Sequence, residues 1–464
     1  MSEIKIFNTL GRQLQTFHPR TAGEVSMYTC GPTVYRYAHL GNFRTYLMAD
    51  LWIRTFEYFG YHVTQVQNIT DVGHLQDDSD TGQDKVLEAA REERKTPEEI
   101  ATFYTRAFLE DAATLRIRRP DHMPRATEFV PQMIELVRRL EELGYTYRVG
   151  GSVYYDISRR AEYPLLSRNR LEDLVGGHRI TLDPRKRNPA DFLLWKEAGP
   201  RRLQVWDSPW GPGFPGWHVE CSAMSLNYFP HGIDVHTGGV DLVFPHHEDE
   251  IAQSEPVFGG KVVNYWIHGE HLLMGGRKMA KSAGNVERVA TLVEAGHDPL
   301  AFRFLTMSTR YRSKLRYTQE SLEAAERGLM SIRQRASQLA VGANPDSPRS
   351  RDFQRRFEAA LANDLDLPQV PPLIHELLRS DVPPGEQRWL LEDWDRVLQL
   401  DLLAAPLRAE PEAIPAAVSE LARRRDSARR ERQWAVADEL RAEIEELGYQ
   451  VTDTAEGSHL VRRR

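Results

Sequence analysis

The chain has 464 residues, 41% of them apolar, and a formal net charge of −7. That length exceeds one hydrophobic core, so two to four domains are expected. No apolar run reaches membrane-spanning length, the opening "MSEIKIFNTLGRQ" lacks a signal-peptide core, and the acidic balance excludes a uniformly basic nucleic-acid binder. A cytoplasmic protein with reduced thiols is the expectation.

In chain order, "VSMYTCGPTVY" predicts a strand running into a Gly-Pro turn. "HLGNFRTYLMADLWIRTFEYFGY" predicts a helix with Leu47, Leu51, Arg54 and Tyr58 at helical spacing, stopped by Gly60. "HVTQVQNIT" alternates as a strand, which completes a βαβ unit and hence a parallel sheet. Ligands bind at the carboxyl ends of such strands, where Cys30 and Asn68–Asp71 fall. Residues 85–145 predict amphipathic helix, with Met133, Leu136, Val137, Leu140 and Leu143 on one face and a stop at Gly144. "GSVYYDIS" predicts a strand, "LDPRKRNPADFLLWK" a basic loop-rich stretch, and "GWHVECSAMS" with "GIDVHTGGVDLVFPHHEDE" a second strand–helix–strand passage. From Tyr317 to Leu407 the pattern is helical, broken by "GANPDSPRS" and "DVPPGE". "AEPEAIP" reads as a linker. Pro415 opens a helix through the cationic "RRRDSARRER", a second helix stops at Gly448, and "YQVTD" with "SHLVR" predicts a terminal hairpin.

Two short stretches carry candidate chemistry. His39-Leu40-Gly41-Asn42 lies at a predicted helix start, where orphan N–H groups and the helix dipole attract anions; a plain helix cap is the other reading. "RKMAKSAGN" places Lys278 and Lys281 among small residues, as in a pliable loop that neutralises polyphosphate charge, or in a solvated turn. The two cysteines, Cys30 and Cys221, have no neighbouring cysteine, so no CxxC site exists and two buried thiols are the ordinary reading. The arginine cluster and the terminal "VRRR" suit an anionic partner held at one end, or a helix face laced with carboxylates.

The His39 and Lys278 elements together resemble the signature pair of class I aminoacyl-tRNA synthetases. Asn42 stands for the second histidine and Ala280 for the first serine. "YTCGPTVY", "GWHVECSAMS" and "FPHHEDEIAQS" resemble the zinc-carrying segments of cysteinyl-tRNA synthetases. "NITDV", "DFLLWK", "HTGGVDLVFPHHEDEIAQSE", "NYWIHGEHLLMGGRKMAKSAGN" and "ARRERQWAVADELRAEIEELGYQVTDT" keep that family's order nearly end to end.

The resemblance implies an α/β Rossmann-like catalytic domain with a connective insertion, then a helical bundle and a small α+β anticodon-binding domain. The implied division is 1–120 and 201–260 for the two catalytic halves, 121–200 for the insertion, 261–318 for the lysine-loop and stem-contact region, 319–407 for the bundle and 408–464 for the tail.

It also implies one zinc ion on Cys30, Cys221, His246 and Glu250; the last two stand one helical turn apart, so both can face one ion. Gly31, Thr70, Trp217 and His236 would line the cysteine pocket. His39, Gly41, Asn42, Gly239, Asp241, Lys278 and Lys281 would bind ATP with Mg²⁺, His39, Asn42 and the lysines being catalytic. Arg429, Trp434, Asp438 and Asp453 would read the tRNA(Cys) anticodon. The implied partners are ATP, L-cysteine and tRNA(Cys), with the chain acting as a monomer. "EGSHLVRRR" lacks the family's usual terminal tryptophan, and "NDLDLPQV" departs from its Asp-Phe-Asn-Thr-Pro-like run. Two alternatives are a cysteine ligase of the mycothiol pathway with an amino-sugar acceptor, against which residues 408–464 argue, and a non-catalytic tRNA-binding paralogue.

Overall fold

A computed structural model describes residues 3–73, 75, 84–169, 185–200, 202–279, 286–341, 344–404, 415–431, 433–454 and 457–462. The chain forms two compact units, Met1–Leu403 and Ala404–Arg464.

The first unit is built on a four-stranded sheet in the order Val263–Gly269, Ile233–Gly239, Glu24–Thr29, His62–Gln67, all neighbours parallel. The first strand in sequence lies inside the sheet. The chain adds His62–Gln67 on one side of it and Ile233–Gly239 on the other, so strand order reverses between Glu24–Thr29 and Ile233–Gly239. An open parallel sheet parts its connecting loops at such a reversal and leaves a crevice beyond the strand ends. The register pairs Tyr28 with His236 and Thr29 with Thr237, so Cys30 emerges at the head of that crevice.

Helix Leu40–Tyr58 crosses from the first strand to the second and buries Leu40, Phe43, Leu47, Leu51, Trp52 and Phe56. It stops where predicted: Gly60 has φ +88°, and Tyr61 N donates back to the Phe56 carbonyl. Helix Val130–Glu142 buries Met133, Leu136, Val137 and Leu140. Leu143, predicted on the same face, is 40% exposed, because the helix has ended at Glu142 and the Gly144 turn carries the residue to solvent.

An antiparallel sheet of Thr146–Val149, Ser152–Tyr155, Phe192–Glu197 and Gly213–Pro215 is inserted before the third parallel strand. Phe192–Glu197 corrects the loop-rich reading of that stretch. Its first four residues are buried on both faces, so the strand shows no alternation, and the flanking Pro and Asn masked it. "GWHVECSAMS" also differs from its strand–helix–strand reading: it is helix, Trp217–Tyr228, and the strand just before it pairs within the inserted sheet.

Two further elements position the site. Leu272–Met274 and Arg277–Lys278 form a hairpin whose turn, Gly275-Gly276, has φ +59° and +77°. Positive φ at both turn residues is what a tight right-twisted hairpin needs, and glycine adopts it without steric cost. Helices Gln319–Ala336, Pro348–Ala362, Val370–Leu377 and Pro384–Leu398 share one hydrophobic core with the crossover helix. Arg303 and Asp50 form an ion pair across that core at 2.6 Å, with no exposure of either side chain. Arg303 also donates to the carbonyls of Leu398 and Leu115.

The second unit packs helices Ala416–Arg430 and Trp434–Glu446 with the hairpin Tyr449–Thr454/Gly457–Arg462. Among the described residues no helix is long and apolar enough to cross a membrane.

Arg303→Ala would remove the fully buried partner of Asp50, leaving it Arg54 at 2.9 Å and the Arg118 N–H, and would leave two core carbonyls without this donor. It is expected to destabilise the first unit by about 3–5 kcal/mol, read as a lowered urea midpoint; a midpoint equal to wild type would contradict the assignment.

Candidate functional site

Three chain segments converge on the head of the crevice. Cys30 follows the first strand, Cys221 sits on the second turn of helix Trp217–Tyr228, and His246 and Glu250 flank the start of helix Glu248–Phe258. One donor atom from each of these four lies within 4.8 Å of the others, and all four residues are buried. His246 Nε2 is 3.1 Å from Glu250 Oε1. A second quartet, Cys30, His236, His247 and Glu250, overlaps the first and meets the same distance limit.

The surroundings fix the rings. His246 Nδ1 is 3.0 Å from His218 Nδ1, and His218 Nε2 is 3.4 Å from Asp249. His247 Nε2 is 3.1 Å from the Cys30 sulfur; its Nδ1 is 2.7 Å from His268, which meets the Thr9 hydroxyl at 2.7 Å. Burial pushes His236 down to about 4 and His268 down to about 3, so both are neutral at pH 7. Burial raises both thiols. For Cys221 the hydrogen bond from Cys30 and the nearby His246 more than offset it, bringing that thiol down to about 7; Cys30 is pushed well above the usual thiol range by burial and by Cys221. The pair therefore holds one readily ionised sulfur beside one reluctant one.

The residues predicted for a cysteine pocket surround this cluster. Trp217 stacks on His246 at 4.4 Å between ring centres, and His236 stacks on Trp266 at 4.4 Å. Gly31 N donates to Asn68 Oδ1 at 2.8 Å, and Asn68 Nδ2 donates to the Thr70 hydroxyl at 3.1 Å. A Cβ at Gly31 would fall 1.6 Å from the Asn68 carbonyl oxygen, so the two strand ends approach only because glycine is there.

The other predicted cluster forms around the start of helix Leu40–Tyr58. His39 is its N-cap: the ring Nδ1 accepts from Asn42 N at 3.2 Å, while His39 N donates to Asn42 Oδ1 at 3.1 Å. An Nδ1 that accepts leaves the ring proton on Nε2. Asparagine thus completes a capping box at this position. Lys278 Nζ pairs with Asp241 Oδ2 at 2.9 Å; both are about half exposed. Asp241 follows Gly239 at the end of the third parallel strand. The lysine segment meets the helix start on both its flanks. A Cβ at Gly41 would lie 3.5 Å from Met279 Cβ, and Leu40 N donates to the Glu287 carbonyl at 2.8 Å. Lys281 and Ala280 lie outside the described residues.

In the second unit Arg429 is half-buried on the first helix, Trp434 is 58% exposed at the start of the second, and Asp438 is exposed one turn on. Asp453 belongs to the hairpin strand, with its side chain outside the described ones. Arg425, which the sequence reading passed over, is buried and donates to Ser458 at 2.7 Å, while Asp426 accepts from the same serine. Sequence reasoning also missed His218, His247, His268 and Asp249. The His-His and Glu-Asp-Glu runs offered a signal for His247 and Asp249; none existed for His218, whose neighbours mark an ordinary helix.

A parallel sheet with a capped histidine at its first helix start and a lysine hairpin beside it defines a class I aminoacyl-tRNA synthetase catalytic domain. Family models agree with this. "tRNA synthetases class I (C) catalytic domain" matches residues 16–327, and "Cysteinyl-tRNA ligase anticodon binding domain" matches 412–460. Among curated relatives, the cysteine–tRNA ligase of Treponema denticola is 39% identical over 482 residues, covering 97% of this chain and 98% of its own. That of Thermus thermophilus is 40% identical over 475 residues, covering 98% of each, and cysteine–tRNA ligase 1 of Burkholderia lata is 42% identical over 463 residues, covering 98% and 96%. The chain belongs to the cysteine–tRNA ligase family. The fold extends to more distant class I enzymes: the methionyl-tRNA synthetase of Mycobacterium tuberculosis, solved with methionyl-adenylate, aligns with a TM-score of 0.57 at 16% identity over 81% of this chain and 90% of that one.

Gly41→Ala would put a Cβ 2.9 Å from His39 Nδ1 and displace the cap. It is expected to lower kcat/KM for ATP in pyrophosphate exchange by at least about tenfold, while costing the helix no more than about 1 kcal/mol. Unchanged ATP kinetics would contradict the placement.

Proposed function

We propose that this member of the cysteine–tRNA ligase family activates L-cysteine with ATP and transfers it to the 3′ end of tRNA(Cys), selecting the amino acid through a zinc ion on Cys30, Cys221, His246 and Glu250. The observation that carries the zinc reading is the convergence of two thiols, an imidazole and a carboxylate, all buried, within 4.8 Å. This donor set fits zinc in number and in kind. The overlapping quartet with His236 and His247 offers a single sulfur, and softness favours the pair with two. When bound, zinc supplies a thiophilic centre that separates sulfur from oxygen. That difference is one which shape alone discriminates poorly between cysteine and serine. Gly31, Thr70, Trp217 and His236 would frame the substrate around it.

In the first step the cysteine carboxylate attacks the α-phosphorus of ATP and pyrophosphate leaves. His39 Nε2–H, the Gly41 backbone and Asn42 would hold phosphate oxygens at the helix start. Lys278 and Lys281, with Mg²⁺, would neutralise the charge passing to pyrophosphate. Gly239 and Asp241 would take the adenosine side. This chemistry is positioning and electrostatics, with no covalent help from the protein. In the second step a hydroxyl of the terminal tRNA ribose takes the cysteinyl group and AMP leaves. Arg429, Trp434, Asp438 and Asp453 would contact the anticodon: an arginine fork and carboxylates for base edges, and an exposed indole for stacking. The exposure of Trp434 supports that role. The domain division given above, a monomeric state and a cytoplasmic location belong to the same reading.

Cysteine-dependent ATP–pyrophosphate exchange together with charging of a tRNA(Cys) transcript tests the function; exchange without charging would point to another acceptor. Cys221→Ser is expected to lose bound zinc and cysteine activation together, measured by elemental analysis and exchange. A zinc-free variant that still prefers cysteine to serine would defeat the zinc reading. Arg429→Ala is expected to lower charging by about tenfold or more and leave exchange intact; equal loss in both assays would mean misfolding.

A further inference from the structure

The helical run that carries His246 and Glu250 is broken at Phe244, whose φ of −141° and ψ of 131° are extended backbone. The break falls two residues before His246, so the turn upstream does not continue the helix and cannot hold its end in line. That end must be held from the side. Glu248, the first residue of helix Glu248–Phe258, is buried. It stands two residues from each of His246 and Glu250, about 200° round the helix axis, and so on the side away from the sulfurs.

That side meets the chain leaving the inserted sheet. Glu248 Oε1 accepts from Leu165 N at 2.5 Å and Leu166 N at 3.0 Å; Oε2 accepts from Leu166 N at 3.0 Å and Ser167 N at 2.8 Å. Three successive backbone N–H groups thus converge on one carboxylate, a grip that fixes direction as well as distance. The gripping segment is itself tied down, because Arg12 donates to the Ser167 carbonyl at 2.7 Å. Next to it Tyr163 donates to Asp249 Oδ1 at 2.7 Å. Asp249 is the carboxylate that His218 approaches, and His218 meets His246, so Tyr163 joins the ring network from the insertion. Further along the helix Tyr155 donates to the Ala252 carbonyl at 2.9 Å and Arg160 pairs with Glu255 at 2.5 Å. Docking of the helix as a whole is served by those two contacts. The Glu248 grip falls on the turn that bears the candidate ligands.

We propose that Glu248 is a positioning residue for the metal: gripped by the Leu165–Ser167 backbone, it sets the angle at which the helix presents His246 and Glu250 to the two sulfurs. The inference rests on the reading that places zinc on Cys30, Cys221, His246 and Glu250. The two thiols come from a strand end and from another helix, so the quartet closes only if helix Glu248–Phe258 arrives at one angle. A side chain that touches no ligand can set that angle by holding the backbone from behind, and outer partners of this kind govern metal affinity and ligand geometry. The inserted segment, remote from the parallel sheet in sequence, is thereby part of the device that selects the amino acid.

Metal titration of the full-length protein tests this with two ions. Zinc affinity is read by competition with a chelator. Cobalt(II) in place of zinc makes the ligand geometry visible, because the position and intensity of its d–d bands follow the coordination angles. Glu248→Gln keeps the side-chain volume but turns an NH₂ group toward backbone N–H donors. It is expected to weaken zinc binding by about 10–100-fold and to shift the cobalt bands, while the KM for cysteine in exchange rises and the KM for ATP stays constant. Arg160→Ala loosens the same helix against the same segment two turns away, and should leave zinc affinity and the cobalt bands at their wild-type values. Tyr163→Phe, a milder change, should weaken zinc binding by about fivefold and shift the bands in the same direction; it decides the matter if Glu248→Gln does not fold. Wild-type zinc affinity and an unshifted cobalt spectrum in Glu248→Gln, or in Tyr163→Phe where only that variant folds, would overturn the proposal. An equal change in Arg160→Ala would overturn it too, by making Glu248 one more structural contact. A wild-type protein that binds neither ion would sink the zinc reading itself, whereas cobalt–thiolate bands in the wild type uphold that reading whatever the variants do.

Discussion

Two sulfurs, a ring nitrogen and a carboxylate oxygen sit within 4.8 Å of one another where water does not reach. Groups of this kind repel or compete when crowded without a cation, and the effect is visible in the split between the two thiols, one pushed up and the other drawn down to about 7. The fold must therefore hold them in place by force of packing. It does so by drawing them from three separated segments, each anchored in the core on its own account: a strand end, a helix face and a helix start.

The position of that cluster follows from topology. Because the first strand lies inside the sheet, its end opens into the gap where strand order reverses, and Cys30 is the first residue beyond it. The crossover helix starts from the same edge, which brings His39 to the crevice, and the third strand ends at Gly239 beside Asp241. The glycine hairpin then carries Lys278 to Asp241. An exposed pair of this kind contributes little to stability. Its value lies in holding a lysine near the helix start without committing it.

Behind the cluster stands a second layer that resists any single-residue account. His218 joins His246 to Asp249; His247 joins Cys30 to His268 and Thr9. Each ring orients the next, so the outer members set which nitrogen faces the sulfurs.

Much was legible from the chain because local chemistry dictates it. Helical spacing marked the crossover helix and its glycine stop, alternation marked the strand after it, and His39 was readable as a helix cap. The long ordered motifs gave the family. Phe192–Glu197 was hidden because a strand buried on both faces loses its alternation, and Leu143 because periodicity does not say at which residue a helix ends. His218 carries no local mark. Its meaning depends on what stands opposite, and that neighbour, His246, comes from a different element 28 residues along the chain. Sequence by itself thus determined the elements, their order and the residue types available for chemistry, since these follow from short-range periodicity and capping. Which donors meet and which ring faces which sulfur were decided by the tertiary structure, because only long-range packing sets distance and excludes water.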